Sequence, residues 1–451
     1  MEIPPLLLDR TAAVPLAVQL ADALRAATAA GSLHLGDRLP STRALAAELR
    51  VSRTVTAGAY DQLLAEGWVA GRRGAGTFVV AVPSAPGVAA RTPDADPEPP
   101  RISLRAGMPC VAVLDRAAWR RAWRAGADNP PDDTPDPVGL AEYRTAVVAH
   151  LLRHRGLPAD PGAVLATAGS TAGVAELARV LPAGGRVAVE EPGYQRAVGA
   201  LRAGGSTVVP VAVDDEGLVV DALPAGLVAV VVTPAHQFPL GARLSAARRV
   251  ALVARARAEG FLVVEDDYDG ELRYDVAPLP LLAALGPDVV AHLGTASKLL
   301  TPTLGVGWLV APAAVRDAVL DLRDRTGTRP APAGQRVFAA LAVHGDLGRH
   351  LRRLRRELAD RRRAVLEAVG AAGREVRGDA AGAHVVVPLD GVTAERTVVA
   401  AAAQRGVALD GLERFHTGAP LVSGVVVGYA GPARDELDQA LRVMAGVLRG
   451  T

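Results

Sequence analysis

Lysine is nearly absent from this chain. Among 451 residues there are 50 Lys+Arg positions, and Lys298 is the one lysine. Arginine replaces lysine wherever a positive charge suffices, but it cannot shed a proton near neutral pH, so it cannot act as a nucleophilic amine or form a Schiff base. Its lone survival makes position 298 a candidate for amine chemistry. Drift in an Ala- and Arg-rich composition is the competing explanation, and only the surrounding motifs separate the two. Cysteine is just as scarce: Cys110 stands alone, which excludes an intramolecular disulfide framework and a cysteine-based zinc site and fits a reducing cytoplasm. The formal net charge of +2 hides no strongly basic half, so nucleic-acid binding has to come from a local arrangement of arginines. No stretch of membrane-spanning length is free of charges or Gly/Pro breaks, and the N-terminus lacks a basic start followed by a continuous apolar core. A soluble, cytoplasmic protein without a signal peptide is expected.

What is present falls into three parts. Val82 to Pro100 is rich in proline, poor in large apolar residues and aperiodic, which predicts a semi-extended linker. The chain thus divides into a small domain over 1–80, a linker over 81–100 and a large domain over 101–451. Beyond the linker, short Val-rich runs at Arg186–Glu190, Leu227–Thr233, Phe261–Glu265 and Val306–Ala311 alternate with longer segments of helical period. That alternation predicts βαβ units, a mainly parallel sheet and an α/β fold class. From about Arg352 the chain turns helical, then ends in Val-rich strands at His384–Pro388 and Gly424–Ala430 and a last helix, a smaller α+β lobe.

In the first 80 residues, Leu16, Leu20, Ala23, Leu24 and Ala27 give one apolar helix face over 16–30. A turn-rich connector, Gly31 to Pro40, follows. Ser41 and Ser52 each precede a short helical segment that they can cap, and two short helices joined at Arg50-Val51 suit a helix-turn-helix. Gly67 to Val79 reads as a two-stranded wing with glycines at its turn. Arg43, Ser52, Arg53 and Thr54 then mark helix starts, and Arg72, Arg73 and Gly74 the wing, where such a domain meets phosphates and base edges. The order Leu39-Pro40-Ser41-Thr42-Arg43, Val51-Ser52-Arg53, Leu64-Ala65-Glu66-Gly67 and Gly74-Ala75-Gly76-Thr77 resembles the GntR family of bacterial winged-helix regulators. The resemblance implies binding to double-stranded operator DNA.

The large domain carries four features of one kind of site: an amine, a carboxylate, an aromatic ring and an anion cradle. Ala168-Gly169-Ser170-Thr171 precedes a helical stretch, Tyr194 follows a strand within Glu191-Pro192-Gly193-Tyr194, and Phe261 to Glu265 runs into Asp266-Asp267-Tyr268. Strand ends in open α/β sheets are where ligands bind. A small-residue turn before a helix can meet a phosphate, and carboxylates at a buried strand end need solvent, a partner or a cationic ligand. Asp136-Pro137-Val138-Gly139, Pro192-Gly193-Tyr194, Thr233-Pro234-Ala235-His236-Gln237, Glu265-Asp266-Asp267-Tyr268 and Ser297-Lys298 together resemble fold-type I pyridoxal phosphate enzymes of the aminotransferase superfamily. They are most similar to the MocR/GabR-type subfamily, in which a GntR-like head is fused to an aminotransferase-like domain.

By that resemblance Lys298 forms the internal aldimine, Asp266 pairs with the ring nitrogen, Tyr268 approaches the ring hydroxyl and Tyr194 stacks on the ring. Ser170 and Thr171 hold the phosphate, and His236 and Ser297 belong to the same cofactor-binding set. The resemblance also implies a homodimer. Two positions depart from the pattern. Gly305 stands where an arginine clamps the phosphate, and Val426 where an arginine clamps an amino-acid carboxylate. The expectation is a DNA-binding regulator that holds pyridoxal phosphate as a sensor, with an amino acid or the cofactor itself as effector, rather than a working enzyme. A pyridoxal phosphate-dependent aminotransferase with an accessory DNA-binding head and a cofactor-free repressor are the alternatives. The basic run His350 to Arg363 has leucines at 351, 354 and 358 and reads as an amphipathic helix with a solvated face. His384 and His416 lie in small-lobe segments and could reach the cleft, though a lone histidine is usually structural, and no histidine pair has metal-ligand spacing.

Overall fold

The computed structural model describes residues 8–72, 76–81, 102–130, 133–274 and 278–450. The chain divides into two compact units, Met1–Pro97 and Glu98–Thr451.

In the first unit, helix α1 (Leu16–Ala29) buries Leu20, Ala21 and Leu24 on one face. Each of the next two helices starts at a serine. Ser41 Oγ accepts from Ala44 N at 3.2 Å to open α2 (Thr42–Glu48), and Ser52 Oγ accepts from Val55 N at 3.4 Å to open α3 (Arg53–Ala65). Between them Arg50 turns the chain with a left-handed φ of 51°, and the Arg10 guanidinium donates to its carbonyl at 2.7 Å. The helices are then pinned by side chains: Thr56 Oγ1 donates to Thr42 O and Tyr60 OH to Pro40 O, both at 2.8 Å. Strands β2 (Val69–Arg72) and β3 (Gly76–Val79) pair antiparallel as the wing, and β1 (Arg38–Leu39) adds to the free edge of β3. The connector read as turns therefore contains a strand, one too short for alternation to reveal. Leu20, Leu45, Leu63, Val69 and Val79 share one core.

The second unit starts with β4 (Ile102–Ser103). Its main sheet contains β5 (Val164–Thr167), β6 (Arg186–Glu191), β7 (Thr207–Asp214), β8 (Gly217–Leu218), β9 (Leu227–Val232), β10 (Leu262–Asp267), β11 (Val290–Thr295) and β12 (Gly307–Val310). The spatial order is β5-β12-β11-β10-β9-β6-β7-β8. The strands β7, β6, β9, β10 and β11 are mutually parallel. Strand β9 is apolar throughout because both its faces are covered: Val230 and Val232 enter one core while Ala229 and Val231 enter the other. Burying a valine stabilises by roughly 1.5–3 kcal/mol, and runs buried on both faces lose the polar alternation of a half-exposed strand.

Strand β12, expected among the parallel crossovers, is antiparallel to both β11 and β5. A parallel neighbour needs a long crossover, usually a helix, and the connection over 296–306 between β11 and β12 holds no α-helix, only a short turn at Pro302–Leu304. That reversal throws residues 296–306, including Lys298, across the end of the sheet.

Helices begin well before Arg352, at Ala313–Thr326, Pro332–Val343 and Asp346–Gly370. In the last of these Leu351, Leu354 and Leu358 are buried, as an amphipathic helix requires. The small lobe carries the antiparallel sheet β13-β16-β15 from β13 (His384–Pro388), β15 (Asp410–Gly411) and β16 (Gly424–Gly428). Strand β14 (Val407–Ala408) pairs in parallel with β4. Among the described residues no helix is long and apolar enough to cross a membrane.

Candidate ligand cavity and DNA-contacting surface

A cavity of about 520 Å³ opens at the carboxyl ends of β5, β10 and β11. Each strand delivers polar groups there because its apolar run ends at the sheet edge. After β5 come Gly169, Ser170 and Thr171; β10 carries Asp266 one residue before its end and runs on to Tyr268 and Asp269; β11 ends in Thr295 and leads to Ser297 and Lys298. All of these line the cavity, as does Tyr194 after β6.

Lys298 is partly buried, and its Nζ donates to the Gly107 carbonyl at 2.6 Å. Burial lowers its pKa from the ordinary amine value, against the pull of Asp269 and Asp266, which raises the share of neutral, nucleophilic amine. Gly107 has a φ of 88°, and a Cβ there would stand 3.4 Å from that amine.

Asp266 Oδ1 is buried with no hydrogen-bond partner among the described residues. Burial pushes this carboxyl up to about 7; Asp267 adds to the rise, while the Ser170 hydroxyl and the Lys298 charge oppose it. Asp267 is occupied elsewhere. Helix Ala141–Arg155 stops at the left-handed Gly156, and Arg155 grips Asp267 through Nε at 2.7 Å and Nη2 at 2.8 Å. Of the two adjacent aspartates, only Asp266 lines the cavity.

The first turn of helix Ser170–Val180 is entered through Gly169 at φ 126°. A side chain there would be strained, and its Cβ would lie 3.5 Å from Thr295 Oγ1 and 3.9 Å from Ser297 Oγ. Ser170, Thr171, Thr295 and Ser297 thus put four hydroxyls around one helix N-terminus, a setting suited to an anion. Thr171 Oγ1 lies 3.2 Å from Tyr194 OH, and the Tyr194 ring meets Phe238 edge-on with centroids 5.8 Å apart.

The resemblance puts His236 in the cofactor-binding set. It is buried but does not line the cavity; its Nδ1 lies 3.0 Å from both Tyr268 OH and Asp269 Oδ2. Gly382 packs so closely that a Cβ on it would come within 2.2 Å of the imidazole, which boxes the ring behind Tyr268. Burial and the flanking Asp269 and Asp266 carboxylates keep the Tyr268 phenol protonated.

Gly305 caps the short turn before β12 at φ 61°, with nothing within 4 Å of where a Cβ would be. Val426 is fully buried on β16 among Phe238, Leu240, Val386, Leu412 and Phe415. Sequence reasoning missed several lining residues: Thr295, Arg196, Arg414 and Phe415. Thr295 sits two residues before Ser297, a spacing that could have signalled it. Arg414 and Phe415 come from the small lobe with no local signal.

In the first unit Arg43, Ser52, Arg53, Thr54 and Arg72 are all exposed. The Arg72 guanidinium lies 4.9 Å from the Phe78 ring centroid. Arg73 and Gly74 lie outside the described residues. A capped helix pair beside a wing and an exposed arginine set, on a chain whose other unit is a fold-type I sheet with a lysine cavity, define a regulator with an aminotransferase-like ligand domain.

Residues 100–444 match the model for aminotransferase class I and II, and residues 16–79 that for bacterial regulatory proteins of the gntR family. The chain is 36% identical to the HTH-type pyridoxine biosynthesis transcriptional regulator PdxR of Corynebacterium glutamicum, over 96% of both chains. It is 31% identical to the probable rhizopine catabolism regulatory protein MocR of Rhizobium meliloti, over 94% of this chain and 92% of that one. The solved kynurenine aminotransferase of Pyrococcus horikoshii superposes with a TM-score of 0.71 at 25% identity, covering 78% of this chain and 91% of that one. The chain belongs to the MocR-type branch of the GntR regulators, DNA-binding transcriptional regulators that carry a class I and II aminotransferase domain.

Proposed function

We propose that the second unit binds pyridoxal phosphate through Lys298, and that the cofactor itself is the signal passed to the DNA-binding head. The observation that carries this is the buried, unpartnered Asp266 Oδ1 in the same cavity as the only lysine. A pyridinium nitrogen is the kind of cationic donor that relieves such a carboxylate.

When bound, the cofactor supplies an aldehyde able to condense with a lysine amine. The chain's own residues do the rest. Burial favours the neutral form of Lys298, whose amine donates to the Gly107 carbonyl; Asp266 would take the ring nitrogen, and Tyr268, its proton retained, would meet the ring hydroxyl. Tyr194 would cover the ring. Ser170, Thr171, Thr295 and Ser297 would hold the phosphate, while His236 and Asp269 support Tyr268 from behind. With glycine at 305, one charge-assisted phosphate contact is missing, and such contacts contribute roughly 1.5–3 kcal/mol. Weaker holding suits a sensor that must release its ligand as the free pool falls. The relative whose name refers to pyridoxine biosynthesis supports the same reading.

Arg43, Ser52, Arg53, Thr54 and the wing residues Arg72, Arg73 and Gly74 are proposed to meet operator DNA, in a cytoplasmic homodimer whose two heads read two half-sites. The domain boundaries proposed are 1–80, 81–100 and 101–451. A second reading, an amino-acid effector or transamination substrate, draws on Arg196 and Arg414, which line the cavity and offer cations to a carboxylate.

The deciding experiment is absorption spectroscopy with added pyridoxal phosphate, before and after borohydride, in wild type and Lys298→Ala, followed by operator binding with cofactor and no amino acid. A trapped band lost in the mutant, with operator affinity changed by cofactor alone, is expected. A band with operator affinity that responds only after an amino acid is added supports the second reading. No band at any cofactor concentration refutes both and leaves a cofactor-free repressor.

A further inference from the structure

One wall of the cavity is held in place by a carboxylate that does not itself line the cavity. Glu191, the last residue of β6, is buried. It accepts from Thr417 N at 2.8 Å through Oε1 and 2.9 Å through Oε2, and from Gly418 N at 2.8 Å through Oε1. Two residues on, Gly193 N donates to the Phe415 carbonyl at 2.9 Å. Gln195 Nε2 donates to the same carbonyl at 2.7 Å and to Thr417 Oγ1 at 3.4 Å. The main-sheet segment 191–195 and the small-lobe segment 415–418 are thus joined along their length, across more than two hundred residues of sequence.

Both joined segments carry cavity walls. Tyr194 lies in one, Phe415 in the other with Arg414 just before it, and all three line the cavity. The Phe415 ring meets Phe238 edge-on with centroids 5.1 Å apart, closing the wall on the side where Tyr194 meets the same Phe238. A carboxylate suits the joint because it only accepts: two backbone N–H groups converge on it, and an amide would turn its own N–H toward one of them. A buried carboxylate is tolerated when several donors satisfy it, and Thr417 and Gly418 supply those donors.

We infer that Glu191 is a positioning residue: it pins the small-lobe segment Phe415–Gly418 to the Tyr194 turn, so that a ligand under Tyr194 and the placement of the small lobe are set together. The ligand half of this statement rests on the proposed binding of pyridoxal phosphate; the joint itself does not. In that arrangement the cavity reports its occupancy through the 415–418 segment, whose position both the ligand and Glu191 bias.

The test is hydrogen–deuterium exchange on the full chain, with and without pyridoxal phosphate, in wild type, Glu191→Gln and the milder Gln195→Ala. In ligand-free Glu191→Gln the amides of Thr417 and Gly418 are expected to exchange at least about tenfold faster, while those of β9, β10 and β11 keep their wild-type rates. The dissociation constant for pyridoxal phosphate should rise about tenfold or more, with Gln195→Ala showing the same pattern to a smaller degree. Wild-type exchange at 417–418 overturns the inference. So does a rise spread evenly over the sheet, which marks a role in general stability, and so does local loosening that leaves cofactor affinity unchanged. Should wild type itself fail to bind the cofactor, the functional reading falls and the ligand half with it, while the ligand-free exchange comparison still decides whether Glu191 holds the segment.

Discussion

Asp266 sets a pH dependence that the ligand should cancel. Its carboxyl ordinarily titrates at 3.8 and is pushed up to about 7 in the folded chain by burial. Between those values the folded chain keeps a proton that the unfolded chain has released, so ligand-free stability falls as pH rises through the window and levels off above it. Glu190, raised to about 7 by burial, acts in the same window, so the informative comparison is mutant against wild type. Ligand-free Asp266→Asn should gain stability over wild type, read from thermal melts, increasingly from about pH 4 to pH 7 and hold that gain above, by an amount on the order of a few kcal/mol. A gap that does not change with pH would show that this carboxyl is ionised throughout. With pyridoxal phosphate the order should reverse, since asparagine cannot supply the charge opposite the ring nitrogen, and cofactor titration followed by absorbance would show weaker binding. Lys298→Arg keeps the charge but not the chemistry; it should lose the borohydride-trapped band as completely as Lys298→Ala.

At the scale of elements, the two serine caps and strand β16 make separate predictions. Ser52→Ala removes the hydroxyl that accepts from Val55 N and should cost about 0.5–2 kcal/mol of stability in the head, measured by thermal melting. Arg53→Ala lies exposed at the first position of α3; gel shifts should show weaker operator binding with cofactor absorbance unaltered. Restoring an arginine at the strand, Val426→Arg, should not create an amino-acid site. Its side chain would enter a fully buried apolar cluster, and an unpaired buried charge costs several kcal/mol. Calorimetry should show a lowered melting temperature and no heat of amino-acid binding. Much of this level was legible from residue patterns. The caps, the helix pair, the wing and the Val-rich strands rest on local chemistry and short periods, which is why their limits shift by only a residue or two. Strand β1 and the antiparallel sense of β12 were not legible, since a two-residue strand carries no period and strand direction depends on what the neighbour does.

For the whole molecule, the prediction concerns coupling. If the cofactor is the signal, adding it alone should change operator affinity, and by reciprocity operator DNA should change cofactor affinity by the same factor, typically about 5–150-fold. Fluorescence anisotropy of labelled operator and absorbance titration of the cofactor measure the two sides of that cycle. Equal affinities with and without the other ligand would separate the head from the cavity and leave the second unit as a dimerisation scaffold. Sedimentation of the purified chain tests the dimer on which two-site operator reading depends.

The chemistry of the site was written in residue identities: a lone lysine where arginine cannot serve, an aspartate pair at the end of an apolar strand, a Gly-Ser-Thr turn before a helix, and a capped helix pair ending in a glycine-rich wing. Each of these is local, and local composition is enough to specify it. Which aspartate meets the cavity was settled by Arg155, more than a hundred residues away, gripping Asp267, while Asp266 keeps an unpartnered Oδ1. The withdrawal of His236 behind Tyr268, the sealing of Val426 and the arrival of Phe415 through Glu191 are of the same kind. They depend on contacts between segments distant in the chain, whose geometry exists only once the sheet and the small lobe have packed against each other.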